Sequence, residues 1–213
     1  MAAFRFSLIA EAEARQIPVG ATVELERGGH ITPLAKDTLA ARRVTVVPAG
    51  TVDAALPPDL APVFPIARVA IGGDHSSLAL KAAVVTHLRS AGLAVDDLGT
   101  HTTDPVDYPD VAQAVARAVG RREADAGIVI DGAGLGSAIA ANKVHGIRAA
   151  MCNSQTLARY AREHNGANVL ALGTTLVTID EAKAIVDTWR ATATTEARYL
   201  RRLLKVRRVE EAG

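Results

Sequence analysis

From Val69 onward, strand-like and helix-like stretches alternate without a break, and this alternation leaves few folds open to the chain. Apolar runs at residues 69–71, 93–98, 126–130, 146–152 and 168–172 read as buried strands. Segments at 78–88, 108–119, 136–144 and 154–163 carry apolar residues at helical spacing. The capping box Thr178-Ile179-Asp180-Glu181 opens a helix through Trp189, and an arginine-rich helix follows from Thr195. Strands separated by single helices run parallel and are joined by right-handed crossovers. The expected fold is therefore α/β, a doubly wound, Rossmann-like parallel sheet of five strands. In the order 2-1-3-4-5, the loops after the first and third strands flank the crevice where such sheets bind ligands. Asp74-His75 lies in the first of these loops and Asp131 in the second.

Four prolines within nine residues, Pro57, Pro58, Pro62 and Pro65, form an extended connector and divide the chain. Residues 1–65 are then a small N-terminal region of unassigned role with its linker, and 66–213 the main domain. In the first part, 21–26 alternates as a strand and Gly28-Gly29 turns the chain. Thr32-Pro33 opens a helix over 34–42, and 44–47 is a short apolar run. Ile31-Thr32-Pro33-Leu34-Ala35-Lys36-Asp37 is faintly similar to segments in accessory proteins of bacterial microcompartments, but a capped helix without targeting meaning accounts for it better.

Composition narrows the function. With 49% hydrophobic residues and only 3% aromatics, the core must rest on Ala, Val, Leu and Ile. A net charge of +1 argues against a large nucleic-acid footprint. Cys152, the single cysteine, excludes an internal disulfide and fits a reducing compartment. Glu11 and Glu13 interrupt the N-terminal apolar run, and no stretch approaches the roughly 20 residues that span a bilayer. A soluble, cytoplasmic protein with no membrane and no nucleic-acid partner is expected.

The chemistry concentrates in Ile130-Asp131-Gly132-Ala133-Gly134-Leu135-Gly136-Ser137. An apolar strand ends in a carboxylate, and Gly132, Gly134 and Gly136 then allow backbone N–H groups to converge on an anion. Asp131 reads either as a general base, which burial would have to tune, or as a loop carboxylate capping its own main chain. The glycines weigh toward the base. Asp74 and His75 stand where side chains reach a ligand. His164-Asn165 ends a helix, where a cationic His also suits the dipole. Arg198 and Arg202 share a helix face and are placed either to grip phosphate or to form a solvated basic end; the residues alone favour the second. Cys152 reads as core. The six His do not pair with Cys or acid at ligand spacing, so no metal and no cofactor is expected.

Together, Gly73-Asp74-His75, Asp107-Tyr108-Pro109, the glycine loop, Ile139-Ala140-Ala141-Asn142-Lys143, Gly146-Ile147-Arg148-Ala149 and Ala161-Arg162-Glu163-His164-Asn165 resemble type B ribose-5-phosphate isomerases and galactose-6-phosphate isomerase subunits. The resemblance covers residues 68–208. It implies aldose–ketose isomerisation of a phosphorylated sugar without a metal, in a homodimer or tetramer with shared active sites. Proton transfer would pass through an enediolate that the glycine loop, Gly132 to Ser137, steadies. Asp74, His75 and Tyr108 would line the substrate, His164 and Asn165 of the second subunit would assist ring opening, and Arg148, Arg198 and Arg202 would hold phosphate. The resemblance thus reverses the plain reading of the arginine pair. Two departures stand out. Asp131 replaces the usual cysteine base, and Ala133 replaces a Thr or Ser, which suits an open-chain or shorter substrate. Members without the cysteine use a glutamate where this chain has Ser137. Epimerisation or elimination on the same scaffold, or a non-catalytic sugar-phosphate-binding or assembly role, are the alternatives.

Overall fold

The computed structural model describes residues 4–49, 57 and 59–213; of the linker prolines, Pro58 lies outside them. The chain forms two compact units, Met1–Pro57 and Pro58–Gly213.

In the first unit, β1 (Arg5–Ile9), α1 (Glu11–Gln16), β2 (Thr22–Ile31), α2 (Pro33–Ala41) and β3 (Thr45–Pro48) build a parallel sheet ordered β1-β2-β3. Ile9, Ala14, Ile17, Val23, Ala35 and Leu39 form its core. Thr32 caps α2 by accepting the Ala35 N–H at 3.4 Å, with Pro33 in the first turn. Gly28-Gly29 does not end the strand as expected. The β1 pairing jumps from Phe6–Leu25 to Leu8–His30, so the intervening residues bulge within β2, and Gly28 supplies the positive φ of +82° that the bulge needs.

The second unit runs β4 (Arg68–Gly73), α3 (Leu78–Ser90), β5 (Ala94–Asp97), α4 (Tyr108–Gly120), β6 (Ala126–Asp131), α5 (Leu135–Ala141), β7 (Ala149–Met151), α6 (Gln155–Glu163), β8 (Val169–Gly173), α7 (Ile179–Ala191) and α8 (Ala197–Ala212). Its five strands are all parallel. One face packs on α3, α6 and α7 through Val84, Leu88, Ala158, Ile185 and Trp189. The other packs on α4 and α5 through Val115, Ala116, Ala138 and Ala141. Helices on both faces make the sheet doubly wound.

The strand order corrects the expected topology. The sheet reads β5-β4-β6-β8-β7, or 2-1-3-5-4, so the last strand inserts between the third and fourth. Burial gives the reason. Val169–Gly173 is buried at every position and belongs inside, whereas β7 is a three-residue, half-buried strand suited to an edge. The reversal of strand order still falls between β4 and β6, and the crevice lies at their carboxyl ends.

Candidate active site

Asp74 directly follows β4, and Asp131 is the last residue of β6. Asp74 opens the 3-10 turn His75–Ser77, its Oδ1 accepting from the Ser76 N–H at 2.9 Å and the Ser76 hydroxyl at 2.6 Å. Its carboxylate is thus committed to the turn that presents His75. The His75 Nδ1 accepts from the Val106 N–H at 3.3 Å, which assigns the ring proton to Nε2 and leaves that nitrogen as a donor on an exposed ring. Tyr108 begins α4, and its ring lies so close to Gly136 that a Cβ there would come within 2.5 Å of Tyr108 Cζ. Only glycine lets the loop pass this ring.

Asp131 is buried, with 5% exposure. Its Oδ1 accepts from the Ala133 N–H at 2.8 Å and from the Gly134 N–H, and its Oδ2 accepts from the Ser137 N–H at 2.8 Å. The loop donors that the sequence directs at a substrate oxygen therefore go to Asp131. Burial pushes its pKa up, as a tuned base requires. The Ser137 hydroxyl and the N–H groups of Ser137, Gly134 and Ala133 outweigh burial and hold the carboxyl below its ordinary value. The cause is reach: an aspartate folds back onto the N–H groups two and three residues ahead. This is the loop carboxylate capping its own main chain, the second of the two arrangements open to it in the sequence, and not a base whose pKa burial has raised.

Two threonines that sequence reading passed over complete the loop. Thr174 donates its N–H to the Asp131 carbonyl at 2.9 Å. Thr175 donates N–H and hydroxyl to the Gly132 carbonyl at 3.0 and 2.7 Å. Their position just past the carboxyl end of β8 was the available signal.

The remaining candidates gather at the opposite end of the sheet. A cavity of about 1510 Å³ is lined by Arg148, His164, Asn165 and Arg202, together with Arg68, Asp125 and Asn168. Arg68 opens β4, while Asp125, Arg148 and Asn168 immediately precede β6, β7 and β8, so this cavity lies at the amino ends. His164 caps the end of α6 and packs between the rings of Tyr160 and Tyr199, at 4.7 and 4.3 Å. Asn165 donates to the Tyr160 carbonyl at 3.0 Å. Arg198 and Arg202 both lie over Tyr199, at 4.6 and 5.7 Å, and Arg198 donates to its hydroxyl at 2.7 Å. Tyr160 and Tyr199 thus organise the His–Arg cluster, and neither stood out in the sequence except by flanking it. Within one chain, this cluster and the Asp131 crevice occupy opposite ends of the strands.

Cys152 is buried in the core, and burial pushes its thiol up to about 12. Among the described residues, no group of three or more His, Cys, Asp or Glu is placed to hold a metal ion, and no helix is long and apolar enough to cross a membrane.

A family model described as Ribose/Galactose Isomerase matches residues 69–206. Ribose-5-phosphate isomerase B of Escherichia coli (strain K12) is 41% identical over 144 residues, 68% of this chain and 97% of that protein. D-erythrulose-4-phosphate isomerase of Pectobacterium atrosepticum is 40% identical over 123 residues, 57% of this chain and 80% of that protein. Among solved structures, ribose-5-phosphate isomerase B of Clostridium thermocellum is similar with a TM-score of 0.67 at 47% identity, covering 68% of this chain and 98% of that one. The doubly wound sheet, the crevice at its centre and these matches together establish that the chain belongs to the ribose/galactose isomerase family.

Proposed function

We propose that the chain interconverts an aldose and a ketose phosphate by proton transfer through an enediolate, with Asp131 as base. What supports this reading is the family match over residues 69–206 together with a carboxylate, Asp131, at the carboxyl end of β6, where the strand order reverses. The loop N–H donors have two possible acceptors, the carboxylate and a substrate carbonyl oxygen. When the carbonyl oxygen takes them, Asp131 loses its hydrogen bonds in a buried setting and its basicity rises. It then removes the proton from the carbon beside the carbonyl, while the loop N–H groups receive the charge that moves onto oxygen. The proton on the adjacent hydroxyl passes to the former carbonyl oxygen, and the conjugate acid returns its proton to that oxygen's carbon, so that the carbonyl has moved by one position. The His75 Nε2–H is suited to donate to a substrate oxygen, and Tyr108 forms the wall.

His164, Asn165, Arg148, Arg198 and Arg202 act in this reading on a substrate bound to the crevice of a second copy. Their location at the amino ends, away from Asp131, supports a homodimer with shared active sites, because one chain cannot bring both clusters to one small molecule. Ala133 offers no hydroxyl to assist ring opening. A tetrose 4-phosphate cannot close a furanose ring, since its O4 is esterified, and the named D-erythrulose-4-phosphate isomerase relative makes that class a natural first substrate.

The test is solvent exchange. Tetrose, pentose and hexose phosphates are incubated with the protein in deuterated water and followed by proton NMR. Exchange at the carbon beside the carbonyl, with product formation, is expected for at least one, and Asp131→Asn should slow it by about 10²–10⁴-fold. No exchange with any of them, or an undiminished rate in Asp131→Asn, overturns the reading. Product analysis separates isomerisation from epimerisation or elimination.

A further inference from the structure

The family match begins at residue 69, yet residues 59–66 pack as part of the second unit. Leu60 is 1% exposed, and Asp59, Pro62, Val63 and Phe64 line the amino-end cavity. The segment is also tied to the half-buried Arg148 and the buried Arg162. The Leu60 carbonyl accepts from Arg148 Nη2 at 3.3 Å, and the Val63 carbonyl accepts from Arg162 Nη2 at 2.9 Å. Asp59 faces Arg207 at 3.4 Å and closes the near end of the segment onto α8.

Arg148 explains why this matters. Its Nε donates to the Gly166 carbonyl at 2.7 Å, so the fork made by Nε and Nη2 rests on two main-chain carbonyls. Among the described residues, no carboxylate lies within ion-pair distance of Arg148 or Arg162. Burial and the nearby Arg207 lower the pKa of Arg148, partly offset by Glu210 and Asp59. Burial lowers that of Arg162 to about 10, with Arg148 adding to it. A cation held by carbonyls at a cavity wall, without a carboxylate of its own, is short of negative charge. Arg202 lines the same cavity.

We propose that residues 59–66 are a strap that positions Arg148 for phosphate. The Leu60 carbonyl of the strap and the Gly166 carbonyl together take up the side-on fork of the guanidinium and leave the Nη1 edge to receive the phosphate of a sugar phosphate together with Arg202. Arg148 is thereby fixed before the ligand arrives, and a bidentate contact loses less freedom on binding. The segment that leads out of the N-terminal unit is thus part of the anion half-site. This rests on the sugar-phosphate reading above.

Inorganic phosphate titrated into the full-length chain by calorimetry tests it apart from catalysis. Leu60→Asp puts a charge into a buried position and should expel the strap, and Leu60→Gly removes the anchor more gently if the first variant does not fold. Circular dichroism identifies the folded variants. Phosphate binding should weaken about tenfold in a folded strap variant, and comparably in Arg202→Ala. Unchanged or tighter binding in the folded strap variants overturns the proposal, and tighter binding would mean that the strap competes with phosphate for Arg148. Unchanged binding in Arg202→Ala also overturns it, because the anion then sits elsewhere, while solvent exchange decides the isomerase reading separately.

Discussion

Asp131 couples stability to pH, and the coupling has a sign. Its folded pKa lies below the ordinary carboxylate value, so its contribution is complete above the unfolded pKa of about 3.9 and is lost as pH falls through the folded value. Asp131→Asn should therefore cost about 1–3 kcal/mol at neutral pH. Urea unfolding at a series of pH values should show the gap to wild type narrowing below about pH 4. A gap that widens on acidification would refute the assigned hydrogen bonds. Gly136→Ala should drive a methyl into the Tyr108 ring, with about 1–3 kcal/mol of destabilisation and a fall in kcat/KM. The residue types around this loop are legible in the sequence, because glycine spacing and a terminal aspartate are local signals. Which way the aspartate turns is not, since both orientations use the same letters and differ only in which acceptor the N–H groups receive.

At the scale of elements, most strands and helices of the second unit follow from periodicity, and the capping box of α7 is present with both of its hydrogen bonds. Thr178→Ala should lower stability by about 1 kcal/mol, read from the urea midpoint, while leaving solvent exchange intact. Two things escaped the sequence. β1 and α1 are short, and β1 buries only Ile9, so no pattern of useful length marks them. The place of β8 between β6 and β7 depends on how strands compete for the sheet interior, a property of the set and not of any one segment. The candidate residues were named from motifs, and the resemblance already set His164 and Asn165 in a second subunit, whereas the placement of Arg148 and Arg202 at the amino ends required the coordinates.

For the whole molecule, the separation of the two clusters makes subunit mixing decisive. Asp131→Asn and Arg202→Ala chains should each be weakly active alone. In the proposed homodimer, co-expression should make half of the dimers mixed, each with one intact site, so that turnover recovers to about a quarter of wild type. No recovery would rule out sites shared between copies. The single tryptophan has a separate use: Trp189 is 1% exposed, lies beneath the Arg162 guanidinium at 4.9 Å, and belongs wholly to the second unit. Its emission is blind to melting of the first unit, whereas far-ultraviolet dichroism registers both. Superimposable heating curves from the two probes would mean that the appendage and the catalytic body melt as a single cooperative block, and offset curves would show that each keeps its own thermal limit.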